Sequence, residues 1–309
     1  MSPIPSLAKI GVNMESYWGA GGSPALVFPV ESWNLTGPFE QVLDNAKRGV
    51  VAKDFNAYQG IGRSEGSFDG EVFPDLIGYV LKGLFGSLST AGTVAPYTHT
   101  FTFSGSPPSL AITEDNVVRQ HQGQGMMVSE FGMTLNPTEG ALMYSASFVG
   151  KQLGTVLYTF PTDVQASTPF FLGWQGSVAL GGTYFPIIEA DLSFSREVAL
   201  HYQLQNSQFA GTVYVDAPEV TGSFSIDYTA GSEYDRYRLH QQGSVNIYYI
   251  LDANRTLTLE LGSVDFGDGP AELDKSGASI TLGYTWRGLY VPGLAGPGRA
   301  ILVCNTPTF

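Results

Sequence analysis

Between Glu219 and Tyr228 the chain alternates strictly. Glu219, Thr221, Ser223, Ser225 and Asp227 are polar; Val220, Phe224, Ile226 and Tyr228 are apolar, with Gly222 in the apolar series. Successive side chains of an extended backbone point to opposite sides, so a repeat of two sorts these residues onto two faces of a β-strand. An amphipathic helix would need its apolar positions at helical spacing instead. Arg63 to Val72 repeats the pattern, with Arg63, Glu65, Ser67, Asp69 and Glu71 on one face and Phe68, Val72 and glycines on the other. Further strands are predicted at residues 128–135, 142–149, 187–198, 245–251 and 255–261. The 38 glycines, 18 prolines, 19 phenylalanines and 16 tyrosines suit short strands and turns. Two helices are predicted. Residues 75–85 follow Pro74, a good first-turn residue, and Leu76, Ile77, Val80, Leu81 and Leu84 form an apolar stripe. Residues 232–241 open on Ser232, a capping residue, with Tyr234 and Tyr237 on one side.

The strand signals recur at a fixed spacing. Phe28-Pro29-Val30 is similar to Phe185-Pro186-Ile187, an offset of 157 (185 − 28). Gly66-Ser67-Phe68 matches Gly222-Ser223-Phe224, an offset of 156 (222 − 66). Each Gly-Ser-Phe lies on an alternating strand followed by a predicted helix. Near-equal offsets with the same element order point to an internal duplication. The expected division is one β-rich unit over 1–154, a linker over 155–170 containing Pro161 and Pro169, and a second unit over 171–290. Residues 291–309 hold Pro292, Pro297 and Pro307 and are expected to form an extended arm, with Ile301, Val303 and Phe309 as its contacts.

Each unit carries a long connection after its first strand, over 36–60 and 196–217. Connections of this length are usually functional or disordered. Val50, Phe55 and Tyr58 in the first, and Tyr202, Val213 and Tyr214 in the second, are β-formers. They imply a hairpin that projects onto a partner, or else a strand pair kept within the same unit.

Composition narrows the function. The net charge is −13 and the pI is near 4.6. An acidic surface repels nucleic acid, which argues against gripping DNA and leaves room for letting it pass. Only 14% of residues are charged, against roughly 25% in a typical soluble domain. The single cysteine, Cys304, can build neither an internal disulfide nor a thiolate zinc site. The N-terminal residues do not read as a signal peptide, and no apolar run is long enough for a membrane helix. His99, His121, His201 and His240 are scattered, with none in a ligand-spaced pair. A nucleophile elbow and a phosphate-binding loop are both missing from the sequence. Asp265-Phe266-Gly267-Asp268-Gly269 reads as a tight turn and lacks the ligand order of a calcium loop. No catalytic residue, metal or cofactor is expected.

Several segments together resemble the tail tube proteins of long-tailed bacteriophages. They are residues 7–19 leading to Phe28-Pro29-Val30; Gly66-Ser67-Phe68 followed by 76–86; Tyr97-Thr98-His99-Thr100-Phe101 with Leu110-Ala111-Ile112-Thr113; and the closing strands over 125–135 and 142–151. The first half carries the likeness well and the second more loosely. The resemblance implies a mainly β fold of two tandem β-sandwich or split-barrel units, each with one flanking helix. It implies a virion protein without enzymatic activity, made in the host cytoplasm. Family units close in sixes into a ring with a continuous inner barrel, so a chain of two units would close in threes. The partners implied are further copies of the chain, a tape-measure protein in the lumen and DNA in transit. Carboxylates let DNA slide where lysines would hold it, so Glu65, Asp69, Glu71, Glu219 and Asp227 are the candidate lumen face. The competing reading is a carbohydrate-binding β-sandwich, an adhesin or decoration protein, in which Trp18, Trp33, Trp174 and Trp286 would stack on sugars.

Overall fold

The computed structural model describes residues 7–161, 169–227, 241–267, 271–272 and 281–309. The strands of the first half are β1 (Lys9–Met14), β2 (Leu26–Phe28), β3 (Ser32–Thr36), β4 (Phe39–Asp44), β5 (Asn56–Gly62), β6 (Ser64–Glu71), β7 (Gly86–Ala91), β8 (Tyr97–Phe103), β9 (Leu110–Asp115), β10 (Gln120–Leu135), β11 (Met143–Gly150) and β12 (Gln152–Val156). Helix α1 (Gly78–Phe85) lies between β6 and β7. The second half supplies β13 (Gly176–Leu180), β14 (Thr183–Phe185), β15 (Ile187–Ser195), β16 (Val198–His201), β17 (Thr212–Val215), β18 (Glu219–Asp227), β19 (Gly243–Asp252), β20 (Arg255–Phe266), β21 (Ala271–Glu272), β22 (Thr281–Gly288) and β23 (Arg299–Cys304). The fold is mainly β, as the alternation predicts. Residues 232–240 of the helix predicted over 232–241 lie outside the described residues.

One antiparallel sheet runs through both halves in the order β3-β6-β11-β10-β15-β18-β22, ending on the last residues of β20 and on β21. The register aligns Ser32, Asp69, Ser145, Gly132, Ser193, Thr221, Arg287 and Asp265 in one row across eight strands. Behind it lies a second layer. In the first half this layer is β2-β1-β9-β10-β12. In the second half it is β14-β13-β19-β20-β23, extended by β8-β7 of the first half. β10 and β20 take part in both layers. β10 makes the passage at Gly123–Met126, where its register shifts and Gly125 adopts φ +68°. A side chain there would be strained by that backbone angle and would meet the Trp18 ring and Lys151.

The core fills the space between the layers. Phe68, Phe131, Phe148, Phe194 and Phe266 are fully buried from the first sheet, and Ile10, Leu110, Leu257 and Leu259 face them from the second layer. α1 buries Val80, Leu81, Leu84 and Phe85 in the same core. It begins at Gly78, three residues later than the spacing predicts. The Asp75 carboxylate is engaged elsewhere, accepting from the Asn305 amide at 2.8 Å and from Arg255 at 3.3 Å. Residues 73–77 form turns before the helix starts.

Two further expectations are corrected. The 155–170 linker starts too early, because Thr155 and Val156 belong to β12 and pair with His121 and Gln120. The 291–309 stretch is no free arm, because it contains an internal strand, β23. β23 lies between β20 and β8, burying Ala300, Leu302 and Cys304, while Ile301 and Val303 are half-buried. Phe309 is buried against Tyr79, His99 and Phe101. The prolines flank this strand and do not interrupt it, so its alternation survives.

Candidate functional site

The first sheet has one apolar face and one polar face. Its polar face forms an open concavity of about 760 Å³ whose lining includes Asp69, Glu130, Ser145, Asp191, Ser193, Thr221, Ser223 and Asp265. The strand registers put all five acidic residues singled out from the sequence on this face. Glu65, Asp69 and Glu71 lie on β6, and Glu219 and Asp227 on β18. Glu130, Glu189, Asp191 and Asp265 share the face, although the sequence reading did not single them out. Their signal was present as period-two series, Glu130-Gly132-Thr134 and Glu189-Asp191-Ser193-Ser195. Only the register shows that β10 and β15 continue the sheet of β6.

Hydroxyls hold several of these carboxylates. Ser32 donates to Asp69 at 2.9 Å, Thr134 to Asp191 at 3.1 Å, and Ser193 to Glu130 at 3.3 Å. Arg287 pairs with Glu219 at 2.9 Å and Arg63 with Glu65 at 2.6 Å. Beneath the face, the Tyr144 hydroxyl is buried without a hydrogen-bond partner. Its pKa is pushed well above that of a free phenol, first by burial and then by the charges of Asp69 and Glu71. The described histidines lie off this face: His99 in β8, His121 in the second-layer part of β10, and His201 in β16. Among the described residues, the hydroxyl–carboxylate contacts therefore lack the imidazole that a serine nucleophile would need. What the face can do is present negative charge and hydroxyls to whatever runs along it.

Both long connections are hairpins, β4–β5 and β16–β17, attached at corresponding points of the two halves. The loop of the second hairpin, residues 202–211, folds onto the base of the first. Gly62 donates to the Gln208 carbonyl at 2.9 Å, Tyr202 donates to the Gly62 carbonyl at 3.2 Å, and Phe39 lies 5.8 Å from Phe209. Val50, Tyr58 and Tyr214 are exposed; Phe55 is half-buried under the Arg48 guanidinium, and Tyr202 and Val213 are half-buried. The four tryptophans are dispersed: Trp174 is exposed, Trp286 is buried over Gly222, Trp18 lies under Lys151, and Trp33 sits on β3.

A buried carboxylate outside this face organises the glycine-rich opening. Glu15 accepts from the amides of Gly19, Gly21 and Gly125 at 2.8–3.0 Å and from the Ser109 hydroxyl at 2.6 Å. Among the described residues, the outer edge of β3 pairs with no strand. An open edge of this kind is a template for another chain.

A polar concave sheet, an unpaired edge and two exposed hairpins define a structural β-protein built to assemble. The chain belongs to the family of phage tail tube proteins, whose family model matches residues 5–288. It is thus a structural component of the virion, in a family of tail proteins and not of enzymes. No curated protein matches the chain. No helix among the described residues is long and apolar enough to cross a membrane.

Proposed function

We propose that the chain polymerises into stacked rings, three chains to a ring, and that its concave polar face lines the channel through which DNA leaves. The carrying observation is the joint between β10 and β15. There, Glu130–Leu135 of the first half pairs with Ala190–Ser195 of the second, so two sheets become one. The halves share an order of parts up to the second sheet strand: two short strands, a sheet strand, a hairpin, a second sheet strand; α1 and β7–β9 then precede the shared strand β10 in the first half, and β19 precedes the shared strand β20 among the described residues of the second. β3 occupies in the first half the place β15 occupies in the second, and its outer edge is open. A neighbouring copy that adds its β20–β21 edge there would repeat the internal joint and continue the sheet around an axis. On this reading residues up to β12 and residues from β13 onward are two tandem tube units. The tape-measure protein occupies the lumen first and DNA follows it.

Electron microscopy of the purified protein tests this. Hollow tubes or rings of three chains are expected. A protein that stays monomeric at high concentration contradicts the reading.

A further inference from the structure

The turns that precede the two shared strands, β10 and β20, differ in chemistry. The turn before β20 spans Asp252 to Arg255, and its charges are paired within the chain: Arg255 lies 3.0 Å from Asp252 and 3.3 Å from Asp75. The turn before β10 is Asn116-Val117-Val118-Arg119. Val117 holds φ +70°, a left-handed conformation that strains a β-branched residue. Local hydrogen bonds keep it there. The Asn116 side chain accepts from the amides of Val118 at 3.2 Å and Arg119 at 2.8 Å, and the Asp115 side chain accepts from the amide of Val117 at 3.0 Å. The result is a braced knob with apolar side chains in the open. Val117 is exposed, Val118 is 76% exposed, and Leu157, just past the β12 residue opposite Gln120, is 92% exposed. Folding alone gives no reason for a strained valine at an open turn, where glycine or asparagine would sit more easily.

An apolar groove lies at the other end of the molecule. β10 folds back where it changes layers. Phe28, on the row of Ile10, Glu114 and His121, lies 5.7 Å from Phe68 and 6.5 Å from Tyr144, and Tyr144 is level with Met133. The 116–119 turn therefore points toward the Leu135 end of the first sheet. The groove opens at the opposite end, marked by Thr36, which is level with Met127. Arg196 forms the buried part of its lining, and the Arg196 amide binds the Ser129 carbonyl, two residues along β10 from that level. The volume is about 410 Å³, and Phe103, Val215, Pro218, Tyr290 and Pro297 supply the apolar lining. Asp216 is an exposed part of the same lining, and Tyr290 leaves an aromatic ring 70% exposed beside it.

We propose that the 116–119 turn of one chain seats in this groove on a second copy in the adjoining ring. Val117 and Val118 cover Phe103, Tyr290 and the two prolines, and the Arg119 guanidinium faces the Asp216 carboxylate. Three matches point to a second copy as the occupant. The knob and the groove are both apolar, each carries one exposed charge of opposite sign, and they sit at opposite ends of the molecule. A contact between opposite ends is heterologous and does not close on itself, so it propagates along an axis. The inference rests on the tube reading and adds to it a pair of surfaces outside the hairpins. Because the knob belongs to the first half and the groove is lined mainly by the second, unlike halves face each other across the ring boundary.

The test uses the full chain and the critical concentration for tube growth. Arg119→Glu and Asp216→Arg are each expected to raise it about tenfold or more, because like charges then meet. Both substitutions in one chain are expected to bring it back to within about threefold of the unaltered chain, because opposite charges again face each other. Val117→Gly checks the apolar contact without threatening the fold, since glycine adopts a positive φ freely. It is expected to leave the thermal midpoint unchanged or higher while raising the critical concentration about fivefold or more. Single variants that fold and grow like the unaltered chain, or an exchanged pair no better than either single, overturn the docking and leave the tube reading standing. A Val117→Gly chain that grows normally overturns it as well. An unaltered chain that forms no tubes overturns the tube reading, and the docking with it.

Discussion

Arg196 carries a charge into the interior and meets carbonyls there. It is 4% exposed. Its guanidinium donates to the carbonyls of Ser104 at 2.9 Å, Leu84 at 3.0 Å and Asp216 at 3.2 Å, and lies 5.9 Å from the Phe103 ring centre. Burial pushes its pKa down and the nearby Asp216 charge pushes it up, and a guanidinium remains charged throughout. Leu84 is in the last turn of α1, where the partial negative charge of the helix end favours a cation. One side chain from the second half thus fastens the helix and the turn after β8, both from the first. Arg196→Met would leave these carbonyls short of a donor and is expected to cost about 2–4 kcal/mol in urea unfolding. Arg196→Lys should recover only part of that, since an ammonium lacks the planar fork that reaches three acceptors. A methionine variant within about 0.5 kcal/mol of the unaltered chain would show that water satisfies those carbonyls instead.

At the scale of elements, β23 decides whether the C-terminal stretch serves assembly or folding. Removing residues 299–309 strips Ala300, Leu302, Cys304 and Phe309 from the core and exposes the facing edges of β20 and β8. Burial raises the Cys304 thiol to about 11, in keeping with an interior position and poor reactivity. The truncated chain is expected to lose its cooperative thermal transition, followed by circular dichroism. A truncation that melts normally yet fails to form tubes would return this stretch to the role of an arm. The alternating series at β6 and β18 were legible almost to the residue, because half-buried strands announce themselves by period two. Strand partners were not legible: nothing within β15 says that it lies beside β10. Nor was the partner of Asp75, whose carboxylate accepts from the amide of Asn305, 230 positions away. Gly222 shows the same limit. Its place in an apolar series was readable, but the Trp286 ring that would crowd a Cβ at 2.2 Å was not.

At the scale of the whole molecule, charge is distributed by face. The concave face bears Glu65, Asp69, Glu71, Glu130, Glu189, Asp191, Glu219, Asp227 and Asp265, against Arg63 and Arg287. If this face lines the lumen, it opposes a duplex carrying one negative charge per roughly 1.7 Å of axis, so the DNA finds no counter-ion to hold it. Asp69, Glu130 and Asp191 are exposed, and replacing all three by lysine should leave folding and tube formation intact. It should convert repulsion into binding and slow DNA ejection from virions carrying the variant. The slowing should fade with added salt, because the screening length falls from about 10 Å at 0.1 M to about 3 Å at 1 M. Replacement by asparagine and glutamine, which removes charge without reversing it, should give an intermediate rate with a shallower salt dependence. A lysine variant that assembles normally and ejects DNA at the unaltered rate at every ionic strength would place this face away from the channel.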